Sequence, residues 1–190
     1  MQSAYAWHSR ESAIDFDPMG IPNQKGNARL HFELKPISRA GVSEAIERAG
    51  RYRLLSESSL AESICLDVLE IEPENQRALV TLLLAITDQF ASGAPAARAR
   101  ELLPRLKSDY DQLYYAGIIC ERFAHSELRH SGAGSSFNAY QGFLEAMNCY
   151  ENAMPLRPAG NDDAILRWNT CARILMRNPD LAADSGDAER

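Results

Sequence analysis

A 34-residue period in the apolar positions constrains the fold of this chain more than any other feature of its sequence. Three columns of apolar or small residues recur at that interval, and they are Ala45, Leu79 and Leu113; Ala49, Leu83 and Gly117; and Tyr52, Ile86 and Cys120. A second pattern repeats with identical gaps and ends in proline each time. Its two copies are Ala61, Cys65, Val68 and Pro73, and Ala146, Tyr150, Ala153 and Pro158. A fixed period of this length in a helix-forming sequence predicts stacked helical hairpins, each burying its apolar face against the next.

Apolar residues at three- and four-residue steps predict seven helices and no β-sheet. The predicted helices span about residues 39–55, 59–71, 75–91, 95–107, 110–127, 137–156 and 161–176. The third is apolar on almost every side, which is typical of a helix buried between neighbours. Pro104 is expected to shorten or kink the fourth helix, because proline removes a backbone donor and clashes with the preceding turn. The predicted fold class is therefore all-α.

These columns and the repeated pattern that ends in proline resemble the tetratricopeptide repeat (TPR) family. The resemblance covers roughly residues 40–176, and it implies an α-solenoid of three helical hairpins followed by a C-terminal capping helix. On this basis the chain has three parts. They are an irregular N-terminal arm over residues 1–37, a TPR-like helical domain over 38–176 and a frayed polar tail over 177–190.

The third hairpin is longer than the family pattern requires. The pattern that ends at Pro73 recurs 85 residues later at Pro158, whereas two periods would span 68 residues. The 17 additional residues lie between Phe123 and Ala146. We therefore expect both helices of this hairpin to extend beyond the stack and to meet in a loop around residues 132–136.

The resemblance also implies a binding surface, because the family binds partners on the concave face formed by the first helix of each hairpin. The positions carried over to this chain are Ile46, Gly50, Val80, Leu84, Tyr114, Ile118, Ile165 and Asn169. This stripe is mostly apolar and lacks the combination of Lys, Asn and Arg with which chaperone-binding members hold a terminal carboxylate, so that ligand class is not expected. Three explanations of the stripe stay open: a partner groove, burial by tight packing of the repeats, or cover by the arm through Leu30, Phe32 and Leu34.

Charge and cysteine content narrow the functional classes. A net charge of −6 argues against a nucleic-acid binder, because phosphate binding needs clustered Lys and Arg. No apolar run reaches the length of a membrane span and the first residues show no secretory signal, so we expect a cytoplasmic protein that does not bind membranes. The cysteines lie in helical apolar patterns without a C-x2-C pair, which favours buried, reduced thiols over a disulfide framework or a metal site. They are Cys65, Cys120, Cys149 and Cys171.

The sequence offers no catalytic, cofactor or metal constellation. His125 and His130 are five residues apart, so on a helix they point in different directions rather than towards one metal. The Gly-rich stretch at residues 132–136 lacks both the Lys-Ser/Thr pair and the preceding strand of a phosphate-binding loop. Trp168 is interpreted as covering the end of the core, with a ligand platform as the alternative.

The predicted function is a non-catalytic interaction module or scaffold that binds an unidentified protein or peptide and needs no cofactor. The alternative is a self-assembling structural protein, a homo-oligomer that pairs through the apolar stripe or the capping helix. An enzyme or a sensor subunit would need a polar pocket with perturbed groups, for which the sequence supplies no candidate.

Overall fold

The computed structural model of the chain describes residues 32–130, 132 and 134–183. Within these residues the secondary structure is entirely helical and contains no strand, which confirms the all-α prediction. The chain divides into two units, Met1–Leu34 and Lys35–Arg190. In the first unit only residues 32–34 are described, and the side chains of Phe32 and Leu34 are exposed. Leu30 lies outside the described residues, so the role of the arm stays a prediction.

In the described part of the second unit, eight α-helices follow one another. They are α1 (Val42–Leu54), α2 (Ser58–Ile71), α3 (Gln76–Thr87), α4 (Ala96–Arg100), α5 (Asp109–Arg129), α6 (Ser135–Ala153), α7 (Asp163–Arg177) and α8 (Asp180–Ala183). Short 3-10 helices occupy Arg39–Gly41, Phe90–Ser92, Leu103–Arg105 and Met154–Leu156. None of the described helices is both long and apolar enough to cross a membrane.

Helices α1–α7 correspond to the seven predicted helices, and each begins within three residues of its predicted start. As expected, α4 is short, and Pro104 lies in the 3-10 helix that follows it. The third helix ends earlier than predicted, at Thr87, and the chain then leaves the helical path through Gly93, whose φ of 91° is left-handed. The predicted frayed tail differs in its first part, where α8 adds one more turn that contacts α6.

Side-chain caps fix the starts of two central helices. The Asn75 side chain accepts a hydrogen bond from the Ala78 backbone N–H at the start of α3. The Ser108 hydroxyl accepts one from the Asp111 N–H at the start of α5. Each cap satisfies a backbone donor that has no partner inside its helix, so these two polar residues set where the helices begin.

From α1 to α7, consecutive helices pack against each other, and α3 also contacts both α1 and α5. Their apolar faces form two clusters. The N-terminal core joins α1–α4 to part of α5, and its largest fully buried side chains are Val68, Leu79, Leu83, Leu106 and Ile119. The C-terminal core joins α5, α6 and α7, and its largest are Ile118, Phe143, Tyr150 and Cys171. Leu84 of α3 and Tyr115 of α5 pack against both cores.

The two helices of the third hairpin approach each other closely through small residues. A Cβ atom at Gly117 would lie 2.4 Å from the Tyr150 ring, and one at Gly142 would lie 3.0 Å from the Ala124 Cβ. From one pair to the other, the residue number rises along α5, from Gly117 to Ala124, and falls along α6, from Tyr150 to Gly142. The two helices are therefore antiparallel. As predicted, both helices are long, with 21 residues in α5 and 19 in α6. The loop between them was expected around residues 132–136, but Ser135 and Ser136 already lie in the first turn of α6.

Candidate interaction surface

The predicted groove residues occupy two environments. Ile46 and Ile118 are only 5% and 1% exposed and belong to the N-terminal and C-terminal cores, so their side chains are not available to a partner. The remaining residues are half-buried, and they are Gly50, Val80, Leu84, Tyr114, Ile165 and Asn169. The apolar stripe is therefore interrupted by core positions rather than continuous.

The structure brings part of the stripe together between α3 and α5. Leu84 and Tyr114 both pack against the C-terminal core, and Val80 packs against the N-terminal core. Gly50 lies on α1, where an added Cβ would meet no atom within 4 Å. Ile165 and Asn169 lie on the amphipathic helix α7. Leu84 and Tyr114 are both half-buried and pack against the same core, so we treat them as the apolar centre of the candidate surface.

Beside this centre, three charged side chains from successive hairpins form a chain of ion pairs, which we call the arginine ladder: Arg53, Asp88 and Arg122. Arg53 Nε lies 2.8 Å from Asp88 Oδ2, and Arg122 Nη1 pairs with Asp88 Oδ1. Arg122 Nη1 also donates to Thr87 Oγ1 at 2.7 Å and to the Leu84 carbonyl at 3.2 Å. One carboxylate, at the carboxyl end of α3, therefore ties α1 to α5.

The ladder side chains are between one fifth and one quarter exposed. Burial lowers the pKa of Arg122, and the Asp88 carboxylate acts in the opposite direction by stabilising the guanidinium charge. Partial removal from water strengthens such pairs relative to fully exposed ones, since solvent screens them less. A cavity of about 320 Å³ opens at the Arg53–Asp88 end, and it is also lined by Leu54, Ser56 and Ser58.

A buried carboxylate lies one residue before Arg122. The Glu121 side chain is 3% exposed and accepts a hydrogen bond from the Tyr150 hydroxyl at 2.6 Å. Arg167 of α7 donates to its other oxygen at 3.0 Å, and His125 Nε2 lies 4.0 Å from that same oxygen. A buried charge is tolerated when it is paired and hydrogen-bonded, and Glu121 has both kinds of partner.

Protonation around Glu121 follows from burial and from its charge. Burial raises the pKa of Tyr150, and the adjacent Glu121 carboxylate raises it further, so the phenol stays protonated and donates. Burial lowers the pKa of His125 although Glu121 favours its charged form. For Arg167, burial acts against the charge, but the Glu121 carboxylate raises the pKa above its usual value. The cluster therefore holds one carboxylate, one guanidinium and one phenol in fixed roles.

Tyrosine rings connect this cluster to the groove. Tyr110 and Tyr114 are stacked with ring centroids 5.6 Å apart, and the Tyr114 and Tyr150 centroids are 5.9 Å apart. Burial raises the pKa of Tyr114, whereas the nearby Arg167 guanidinium acts to lower it. Trp168 packs against the C-terminal core and its Nε1 donates to Glu151 at 2.9 Å, which agrees with a packing role for this side chain.

Sequence reasoning missed the charged part of the surface. Asp88 and Arg122 are 34 residues apart, and Arg53 precedes Asp88 by 35, so the period used for the apolar columns also contained this signal. A different pattern marks Glu121, because this acidic residue interrupts the apolar face of α5 between Gly117 and Ala124. Charged residues that recur at about 34-residue intervals could thus have indicated the ion pairs between α1, α3 and α5.

Among the described residues, every buried side-chain nitrogen and oxygen has a hydrogen-bond partner. In the same part of the chain, no three His, Cys, Asp or Glu residues come together in a way that could hold a metal ion. The arrangement offers apolar contact at Leu84 and Tyr114 with arginine and carboxylate groups on either side.

No family model, curated protein or solved structure matches this chain.

Proposed function

We propose that the chain is a TPR-like protein-interaction module. In this proposal α1, α3, α5 and α7 lie side by side as the first helices of successive repeats, and together they line a concave surface that binds a peptide or protein segment. Such a module is non-catalytic and needs no cofactor. All four cysteines are free thiols, which supports placing it in the cytoplasm.

The arginine ladder is the observation that carries this proposal. Arg53, Asp88 and Arg122 come from equivalent or adjacent positions of three successive hairpins, and their side chains bond directly. Contacts at the repeat period are what a stack of equivalent units produces. A separate bond between helices joins Arg167 of α7 to Glu121 of α5.

The composition of the surface suggests what it binds. Leu84 and Tyr114 are half-buried, so a partner could complete their burial by inserting apolar side chains between α3 and α5. The ladder and Arg167 flank this centre with fixed hydrogen-bonding groups. Interfaces commonly have this arrangement, with an apolar centre and a polar rim. We therefore propose a short segment with apolar anchors as the ligand.

A peptide selection tests the proposal directly. A random peptide library is passed over the immobilised full chain, and the affinity of each recovered peptide is measured by calorimetry for three proteins. These are the natural chain, Val80→Lys on the proposed surface, and Leu66→Lys on α2, where the leucine is 49% exposed. We expect Val80→Lys to weaken binding by about tenfold or more, which corresponds to about 1.4 kcal/mol, and Leu66→Lys to leave it unchanged. Peptides that bind all three proteins equally would refute the proposed surface.

Self-assembly is favoured by a different observation. A groove of about 540 Å³ lies along α1 and α2, and its apolar walls are Ile37, Ala45, Tyr52 and Ile64. The terminal repeats of a solenoid expose apolar surface that must be covered, and a second copy of this chain could cover it. Sedimentation equilibrium over a range of concentrations tests this alternative. A mass that stays monomeric, in both the natural chain and Ile64→Lys, would exclude it.

A further inference from the structure

Two of the four cysteines face each other across the closest helix pair of the fold. Cys120 lies on α5 three residues after Gly117, and Cys149 lies on α6 next to Tyr150, the residue that Gly117 contacts. The antiparallel register, in which Gly117 meets Tyr150 and Gly142 meets Ala124, therefore places Cys120 and Cys149 on adjoining faces of α5 and α6. Cys120 Sγ also donates to Glu145 Oε2 at 3.5 Å.

The four thiols differ in how far water reaches them. Cys149 is half-buried, and Cys120 behind it is 8% exposed. Cys65 of α2 and Cys171 of α7 are fully buried within the two cores. A small reagent in solution therefore reaches Cys149 first and meets Cys120 next to it.

We propose that Cys149 and Cys120 form a reversible modification site, at which a hydroperoxide oxidises the two thiols to a disulfide that joins α5 to α6. This site is independent of the binding surface proposed above. The sequence predicted four buried thiols, and the structure differs at Cys149, which is half-buried.

The surroundings assign a role to each sulfur. The neighbouring Cys120 thiol lowers the pKa of Cys149 to about 7, and Arg100 acts in the same direction, while burial and Glu145 oppose the shift. For Cys120 the neighbouring Cys149 and burial raise the pKa, so this thiol stays protonated. Burial raises the pKa of Cys65 and of Cys171 to about 12. Since the thiolate is the nucleophile, Cys149 attacks and Cys120 resolves.

The reaction balances with one hydroperoxide molecule. The Cys149 thiolate attacks the terminal oxygen, the O–O bond breaks, and Cys149 becomes a sulfenic acid while the alkoxide takes a proton and leaves as an alcohol. The Cys120 sulfur then attacks the sulfenic sulfur, the S–S bond forms, and hydroxide leaves with the Cys120 proton as water. Two thiols lose two electrons in total, and the peroxide bond gains them. A dithiol reductant reverses the modification by thiol–disulfide exchange.

The test begins with the natural full chain and uses its own buried cysteines as controls. Reduced protein is treated with hydrogen peroxide, the remaining thiols are blocked with N-ethylmaleimide, and the peptides are mapped by mass spectrometry. We expect a Cys120–Cys149 disulfide, with Cys65 and Cys171 recovered in the blocked form. Oxidation of Cys149 to a sulfinic acid without a disulfide, or a disulfide between two chains, would overturn the proposal. So would equal reactivity of all four thiols.

Two exposed charges test the assignment of the nucleophile. The rate of Cys149 alkylation by iodoacetamide is measured against pH in the natural chain, Arg100→Gln and Glu145→Gln. The pKa of Cys149 is lowered to about 7, whereas those of Cys65 and Cys171 are raised to about 12, so at pH 7 we expect alkylation of Cys149 to be at least about tenfold faster than that of Cys65 or Cys171. Arg100→Gln should move the profile to higher pH, and Glu145→Gln should move it to lower pH. Identical profiles in all three proteins would refute the role assigned to Cys149.

Cysteine variants identify the intermediate. In Cys120→Ser the sulfenic acid has no resolving thiol, so dimedone should label Cys149 after peroxide treatment. In Cys149→Ser the protonated Cys120 should react no faster than the buried Cys65. Dimedone labelling that is equal in the two variants would contradict the order of attack.

Discussion

Gly117→Ala should destabilise the protein even though alanine is the better helix former. The added Cβ would lie 2.4, 2.7 and 2.9 Å from three carbon atoms of the Tyr150 ring, whereas unstrained contacts lie beyond about 3.4 Å. The ring has little freedom to move, because Tyr150 is fully buried and its hydroxyl is held by Glu121 at 2.6 Å. Either α5 and α6 separate or the bond to Glu121 is lost.

Two opposing contributions set the size of the effect. Overpacking of a well-filled core costs about 1–3 kcal/mol, and a contact this short against an immobile ring belongs at the upper end. Replacing glycine by alanine in the middle of a helix returns about 1 kcal/mol. We therefore expect the free energy of unfolding to fall by about 1–2 kcal/mol.

Urea denaturation followed by circular dichroism measures this change. With a slope near 2 kcal/mol per molar, which is ordinary for a domain of this size, the midpoint should fall by about 0.5–1 M. Gly50→Ala is the matched control, since it makes the same exchange within a helix and its Cβ would meet no atom within 4 Å. That variant should gain about 0.5–1 kcal/mol. If Gly117→Ala raised the midpoint as Gly50→Ala does, the close contact between α5 and α6 would be refuted.

Three further changes test other parts of the fold. Asp88→Asn should lower the free energy of unfolding by about 1–2 kcal/mol, because both ladder arginines lose a charged acceptor. As a control, Glu47→Gln, which removes an exposed ion pair with Arg51, should change it by less than about 0.5 kcal/mol. Equal effects of the two substitutions in urea denaturation would contradict a stabilising role of the ladder. Ala146→Leu should lower the free energy of unfolding by about 1–3 kcal/mol, since Ala146 is fully buried. An unchanged urea midpoint would show that the helices pack more loosely around this position than described. Burial lowers the pKa of His125 in the folded protein below its ordinary value of 6.5. As the pH decreases, His125 therefore binds a proton in the unfolded chain before it does so in the folded protein. The free energy of unfolding should fall as the pH decreases from 6.5 through the pKa of His125 in the folded protein. His125→Gln should flatten that part of the stability profile, and an unaltered profile would exclude His125 as its cause.

The helices were predictable because their signals are local. Apolar residues at helical spacing identified α1–α7, and prolines predicted where α2 ends and why α4 is short. The end of α3 was not predictable in the same way, because the apolar pattern continues past Thr87 to Phe90. There the chain changes to a 3-10 turn that places Phe90 in the N-terminal core. Tertiary packing, rather than helix propensity, decides that boundary.

The candidate surface was predictable only in part, because it depends on how each helix is rotated about its axis. Leu84 and Tyr114 were found from the spacing of the repeats, but the same spacing also selected Ile46 and Ile118, which face the cores. A small rotation of α1 or α5 decides between these outcomes, and no local pattern encodes it. Pairing along the ladder likewise depends on how α1, α3 and α5 pack together, so the partners of Asp88 were not predictable from local patterns.

Leu84 and Tyr115 each touch both cores, and this has a consequence for how the molecule loses its structure. In a linear array the total stability is the sum of each unit and its interfaces with immediate neighbours, so cooperativity is only as strong as the weakest interface. The thermodynamic linkage between the two halves depends on these side chains and on the ladder. Leu84→Ala removes apolar contact between the N-terminal and C-terminal cores. This substitution should split a single denaturation transition into two, in which one core unfolds while the other stays folded.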